Sequence, residues 1–257
     1  MWKPPRPWVI ERSVDPSAAD AATYLTTHVR SQRPEAASVS TGKPAMLDKL
    51  RERIHIFCNM GICRDEFGTH NFRIRILLKT LIAPIIKLDD MLVSMRTVYA
   101  TADIMVEEGP RETIIVPVSP GGSTQLDFNV KPCNLGQTPT ADQKKLFANR
   151  NNAGSTDIVI YFVRQTIPPL NGCAAFPAGM PGAVVTRNAS RWTLAHEVGH
   201  VLGLSHIAGE KNSNGKCVTP DFTRLMTGCG TSNIAGTPTI TAAEIAKMQS
   251  SPFTKKC

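Results

Sequence analysis

The 257-residue chain has no run of eighteen apolar residues, so a conventional membrane-spanning helix is not expected. Its most apolar stretch, Ile76 to Ile86, is too short and carries Lys79 and Pro84. The stretch Met1 to Trp8 carries charge at Lys3 and Arg6 but has no apolar segment behind it, so a conventional signal peptide is not expected either. Lys and Arg form no dense run and do not alternate with aromatics, although the net charge is +8. That pattern describes a solvated, mildly basic surface rather than a nucleic-acid footprint. There is no paired C-x-x-C, which excludes a zinc ribbon, and no internal repeat, which excludes a solenoid.

Seven cysteines are present, an odd number, so at least one thiol is left over. Cys58 and Cys63 are close enough to close a small loop, and Cys217 and Cys229 bracket a polar one. Sequence alone does not fix the pairing. Disulfides there would place the chain in an oxidising compartment, in tension with the missing leader. Export by a leaderless route is favoured over a cytoplasmic location.

The chain does have enough apolar residues, 42%, for a sizeable core. Residues 1–45 are rich in Pro, Ala, Ser and Thr, with one helix expected over 17–30 and a linker over 31–44; a short helix over 46–53 and a short strand, or the helix's continuation, over 54–57 follow. From Phe72 the pattern becomes regular. Phe72 to Leu78 alternates as a half-buried strand. Leu88 to Ala100 has helical spacing, and Ile104 to Val106 reads as a second strand. Strand, helix, strand predicts a right-handed crossover into a mostly parallel sheet. A β-like run follows at Thr113 to Val118. A helix over 140–149 has Thr140 as its cap. Asp157 to Val163 is nearly all apolar, as a strand buried on both faces is. Two more strands are expected, Gly172 to Phe176 and Ala183 to Thr186, and Ser190 is the expected cap of the helix that follows.

That helix holds three of the six histidines in the pattern H-E-x-x-H-x-x-G-x-x-H, His196 to His206. Residues four apart share a helix face, so His196 and His200 can aim at one ion. Gly203 can leave the helix with positive φ, and the turn can bring in His206 as a third nitrogen. Three imidazoles with a fourth position open make a catalytic zinc site rather than a closed structural one. Glu197 is then placed to take a proton from a zinc-activated water and hand it to a leaving amine. His28, His55 and His70 read as ordinary residues. Asp221 is a weak candidate for a structural ion, and Asn188-Ala189-Ser190 matches a glycosylation sequon.

The order of these features resembles the metzincin clan of zinc endopeptidases. Met226, twenty residues after His206, resembles the methionine of that clan's tight turn beneath the metal, and Thr241 to Ser250 its closing helix. Upstream, Gly172, Ala174, Phe176 and Pro177 look like the matrixin edge strand, which implies that Gly172, Cys173, Ala174 and Ala175 bind extended peptide by backbone pairing. The sequence departs from every subfamily: Ile207 follows the third histidine, Gly228 stands where some relatives have a tyrosine, and Phe57 to Cys63 does not match the matrixin P-R-C-G latency motif. Latency through a zinc-bound thiolate from Cys58 or Cys63 is the minor reading of those residues.

The resemblance implies an α+β zincin: a twisted mixed sheet with one antiparallel edge strand, an active-site helix, a Met-turn and a C-terminal helix. Residues 1–69 would form an extension for export or latency and 70–257 the catalytic domain. The implied function is a zinc-dependent endopeptidase acting on proteins or peptides, with Zn2+ as cofactor. A delivered toxin-type protease with a narrow target shares this chemistry. A catalytically silent binding module would keep the fold, but the retained Glu197 and three histidines weigh against it.

Overall fold

A computed structural model of the chain describes residues 62–118, 123–131, 133 and 136–257. The helices and strand expected before residue 58, together with His28, His55 and Cys58, lie outside these. The described elements begin with a hairpin, β1 (Cys63–Asp65) and β2 (Gly68–His70). A β-α-β unit follows: β3 (Phe72–Thr80), α1 (Leu88–Ala100) and β4 (Ile104–Thr113). Next come β5 (Asp127–Asn129), α2 (Ala141–Phe147), β6 (Ile158–Val163), β7 (Gln165–Ile167), β8 (Gly172–Cys173) and β9 (Gly182–Thr186). The chain closes with α3 (Thr193–Val201), α4 (Ala242–Gln249) and β10 (Lys255–Lys256).

The main sheet is mixed. β4, β3, β6 and β9 run parallel in that spatial order, and β8 is antiparallel to β9 at the edge. β10 is a second antiparallel strand, paired with Phe72 and Arg73 of β3 just before β6 begins at Ile76. A two-residue strand of lysines carries no periodic signal, which is why a single antiparallel strand is expected from sequence.

β6 shows why the central strand is apolar throughout. Ile158, Ile160 and Phe162 face one core with α1 and α3, while Val159, Tyr161 and Val163 face a second with Phe128, Leu146 and Phe147. Both faces are covered, so neither tolerates a polar residue. The fully buried Lys79 of β3 is compensated: its ammonium sits 2.6 Å from Glu112 and donates to the Asn151 carbonyl at 2.9 Å. α2 starts at a capping box between Thr140 and Gln143, and α4 at one between Thr241 and Glu244.

Other expectations need correction. Residues 114–118 are not a strand of their own: β4 runs on to Thr113, and Pro117, lacking an N–H, makes one isolated bridge to Thr124. The strand expected at Gly172 to Phe176 ends at Cys173, and the Ala175 carbonyl is taken by the Gln143 side chain at 2.9 Å. Cys63 bonds Cys257, 194 residues away, rather than Cys58. A disulfide sulfur has no thiolate to offer, so Cys63 cannot be a latency ligand. Cys133 pairs with Cys173 and, as the sequence suggests, Cys217 with Cys229. No helix among the described residues is long and apolar enough to cross a membrane.

Candidate metal centre and cleft

α3 is buried almost all round. Leu194, Ala195, Val198 and Val201 sit in the core it shares with α1, and the Tyr99 hydroxyl of α1 donates to the Ala195 carbonyl at 2.9 Å. The helix has no side-chain cap. Ser190 does not serve as one: its hydroxyl joins those of Thr193 and Thr231 in a buried cluster of bonds 2.8–3.1 Å long. The far end closes as a Schellman motif, with Gly203 at φ 99° and bonds from Gly203 N to His200 O and from Leu204 N to Gly199 O, each 2.9 Å. That left-handed glycine turns the chain back and delivers His206.

The three Nε2 atoms form a nearly equilateral triangle: 3.1 Å for His196 to His200, 3.0 Å for His200 to His206 and 3.2 Å for His196 to His206. Carbonyls fix two of the tautomers. His196 Nδ1–H donates to Leu225 O at 2.7 Å and His200 Nδ1–H to Leu204 O at 2.9 Å. Their Nε2 atoms are therefore bare lone pairs facing each other with no proton between them, an arrangement that a cation relieves. Nitrogen ligands about 2.0–2.1 Å from a tetrahedral zinc lie about 3.3 Å apart, so the donor set fits that ion. Burial, then mutual repulsion with His200, pushes the His196 imidazole down to about 3 and that of His206 to about 4; burial lowers His200 as well. All three imidazoles are neutral at pH 7, the form that can ligate a metal.

Glu197 lies on the same helix and is also buried, which pushes its carboxyl up to about 8. A cation held beside it would favour the carboxylate. Its nearest constraint is Gly172 of β8. A Cβ there would stand 2.5 Å from Glu197 Oε1 and 2.6 Å from its Cγ, so the missing side chain at 172 is the space that the carboxylate fills.

Met226 lies against the same helix. A Cβ on Gly199 would be 2.8 Å from its sulfur, and one on Gly228 would be 3.2 Å from the Cβ and Cγ of His206. The turn Leu225 to Gly228 thus touches the helix through Met226, His196 through the Leu225 carbonyl and His206 through Gly228. Its Met226 carbonyl also accepts from Ile207 N at 3.2 Å.

The residues proposed from sequence converge. His196, Glu197, His200, His206, Gly172, Ala174 and Ala175 line one cleft of about 840 Å3, and Met226 packs behind it. Cys173 instead bonds Cys133, which lines the cleft itself. Thr186 N bonds Asn171 O at 2.9 Å, and Cys173 is paired with Val184. With that alternation, the backbone groups of Gly172 and Ala174 point away from β9. His70 bonds Asp65 at 2.9 Å, outside the cleft. Asp221 accepts from the Thr223 N–H and hydroxyl and closes a local turn. Exposed Asn188 stands on the cleft wall. Arg164 and Lys211 are the other charged lining residues besides Glu197, and Arg164 is held by Asp127 in two bonds of 2.8 and 2.7 Å. The residue that sequence reasoning misses is Glu210, a buried carboxylate bonded to the Met226 turn.

No protein-family model matches the chain. Over 82 residues it is 35% identical to an extracellular metalloprotease of Arthroderma otae, a match that covers 28% of this chain and 29% of that protein. An extracellular metalloprotease of Arthroderma benhamiae is 35% identical over 85 residues, covering 29% of this chain and 30% of that one. The chain therefore spans less than a third of the length of these curated relatives. Among solved structures, metalloproteinase-II of Bacteroides fragilis superposes with a TM-score of 0.43 at 14% identity, over 70% of this chain and 52% of that one. The archaemetzincin of Archaeoglobus fulgidus does so at 0.38 and 14%, over 67% and 99%.

Proposed function

We propose that the chain is a zinc-dependent endopeptidase of metzincin type. The observation that carries this reading is the triangle of imidazole nitrogens 3.0–3.2 Å on a side, two of them bare by tautomer, with Glu197 on the same helix. His196, His200 and His206 would hold the metal. When bound, zinc supplies a Lewis acid that activates water and stabilises negative charge on a carbonyl oxygen.

The chain's own residues supply the rest. Glu197 accepts the proton of the attacking water and returns it to the leaving amine. Gly172 keeps that carboxylate in place by having no Cβ. Met226 supports the helix from below, through Gly199, without being a ligand. The outward backbone groups of Gly172 and Ala174 pair with an extended substrate peptide as an added strand, while the Gln143 bond to Ala175 limits the strand's length. An open cleft of this kind suits proteins or peptides rather than a small metabolite. We assign catalysis to residues 70–257, with the β1–β2 hairpin clipped on through Cys63–Cys257, and the part of residues 1–69 that precedes this hairpin to export or latency. Three disulfides and the likeness to extracellular metalloproteases support an extracellular site of action.

The test is chelator-sensitive digestion of casein and a peptide library, with metal analysis of the protein. The Glu197→Ala variant is expected to keep zinc and lose activity by about 10²–10⁴-fold. Undiminished cleavage by that variant would sink the mechanism, and zinc-bound wild-type protein that cleaves no peptide would sink the assignment.

A further inference from the structure

We propose that Glu210 is a positioning residue of the metal centre: its buried carboxylate holds the turn that aims His196 and His206. The inference rests on the reading of the three histidines as metal ligands and not on peptide hydrolysis.

Glu210 is 2% exposed, and no ion pair joins it to a Lys, Arg or His among the described residues. A carboxylate buried in this way is costly unless donors surround it. Three do. Oε1 accepts from Asp221 N–H and from the Thr227 hydroxyl, both at 2.8 Å, and Oε2 accepts from Gly228 N–H at 2.5 Å. Two of these donors belong to the turn that carries Met226. That turn in turn sets two ligands: the Leu225 carbonyl orients the His196 ring at 2.7 Å, and Gly228 lies so close to His206 that a Cβ on it would stand 3.2 Å from the His206 Cβ and Cγ. The loop bearing Glu210 is itself anchored. Its carbonyl accepts from Val218 N at 2.8 Å, and Cys217–Cys229 ties the loop to the end of the turn.

The donor arrangement explains why a carboxylate is needed. Both oxygens accept, so an amide in its place would set an NH2 group against an N–H or O–H donor on one side. An aspartate is one methylene too short to reach the same three donors. Partners that fix the orientation of metal-ligating imidazoles typically change metal affinity by about 10–100-fold when lost.

The experiment compares the full chain as wild type, Glu210→Gln, Thr227→Val and Glu112→Gln. The last removes a charge from the buried Lys79 pair, neither member of which lines the cleft, and reports what general destabilisation does. Zinc affinity is read by competition with a chromophoric chelator, and ligand geometry by the visible absorption of the cobalt(II)-substituted protein. Glu210→Gln is expected to weaken zinc about 10–100-fold and to shift the cobalt bands. Thr227→Val, which deletes one of the three bonds, should weaken zinc by about fivefold. Glu112→Gln should leave affinity and spectrum unchanged while lowering thermal stability. Wild-type affinity and spectrum in a folded Glu210→Gln, or equal weakening in Glu112→Gln, would overturn the proposal. If Glu210→Gln does not fold, unchanged zinc affinity in Thr227→Val overturns it just the same. Wild-type protein that binds no zinc would instead overturn the metal reading on which it rests.

Discussion

Gly172→Ala isolates the contact between the edge strand and Glu197, the proposed general base. The added Cβ would lie 2.5, 2.6 and 2.7 Å from Oε1, Cγ and Cδ of Glu197, where ordinary contact begins near 3.4 Å. All three close atoms belong to one side chain, and Gly172 is not in the left-handed region, so its backbone accepts alanine without strain. The whole perturbation falls on Glu197, which must retreat by about 1 Å, and its helix leaves it little room. Misplacing a reacting group by about 1 Å costs about 10²-fold in rate, near 2.7 kcal/mol in the barrier. Overpacking a buried contact costs about 1–3 kcal/mol of stability. The variant should therefore lose about 100-fold in kcat with little change in KM and zinc content. The stability cost should vanish in a Glu197→Ala background, because the atoms that clash are then gone. Urea unfolding of the four proteins of this double-mutant cycle, with kcat for the two that retain Glu197, is the assay. Equal stability cost in both backgrounds, or undiminished kcat, would show that Gly172 is not the space Glu197 occupies.

Other outcomes follow from the same geometry. Dialysis against a strong chelator should abolish peptide cleavage, and stoichiometric zinc should restore it; activity that survives complete metal removal would refute the metal reading. Tyr99→Phe removes the second donor to the Ala195 carbonyl, which keeps its helical bond, and should cost about 0.5–1.5 kcal/mol in urea unfolding, with zinc affinity nearly unchanged. The three disulfides close loops of 194, 40 and 12 residues in sequence separation. Chain entropy predicts losses of about 5, 4 and 3 kcal/mol on replacing each pair with alanines, so thermal melts should rank Cys63–Cys257 first, and the reverse order would refute this account.

What could be read in advance divides along the range of the interaction. The convergence of the three histidines is legible because helical spacing is local: His196 and His200 are one turn apart, and Gly203 announces the bend that brings His206. The β-α-β unit was legible for the same reason, since Leu88 to Ala100 carries its buried face in its own period. Met226 was legible by resemblance, not by pattern. Glu210 was not legible at all. It sits in the polar stretch between Ile207 and Thr223, where an acid normally faces water, and only the folded turn reveals three donors closing on it. Cys63–Cys257 was hidden because pairing over 194 residues depends on where β1 and β10 end up, and neither short strand has a period to detect. Ser190 shows a local rule failing: its type and position suit a helix cap, but Thr193 and Thr231 offer hydroxyl partners that compete for it. The proposed metal centre is therefore half local and half assembled. Its nitrogen donors are written into one helix and the bend after it, whereas the groups that aim them, the Leu225 carbonyl, Gly228 and Glu210, come from loops that meet only in the fold. Substitutions in those loops should alter how tightly the ion is held, whereas substitutions among the histidines should decide whether it is held at all.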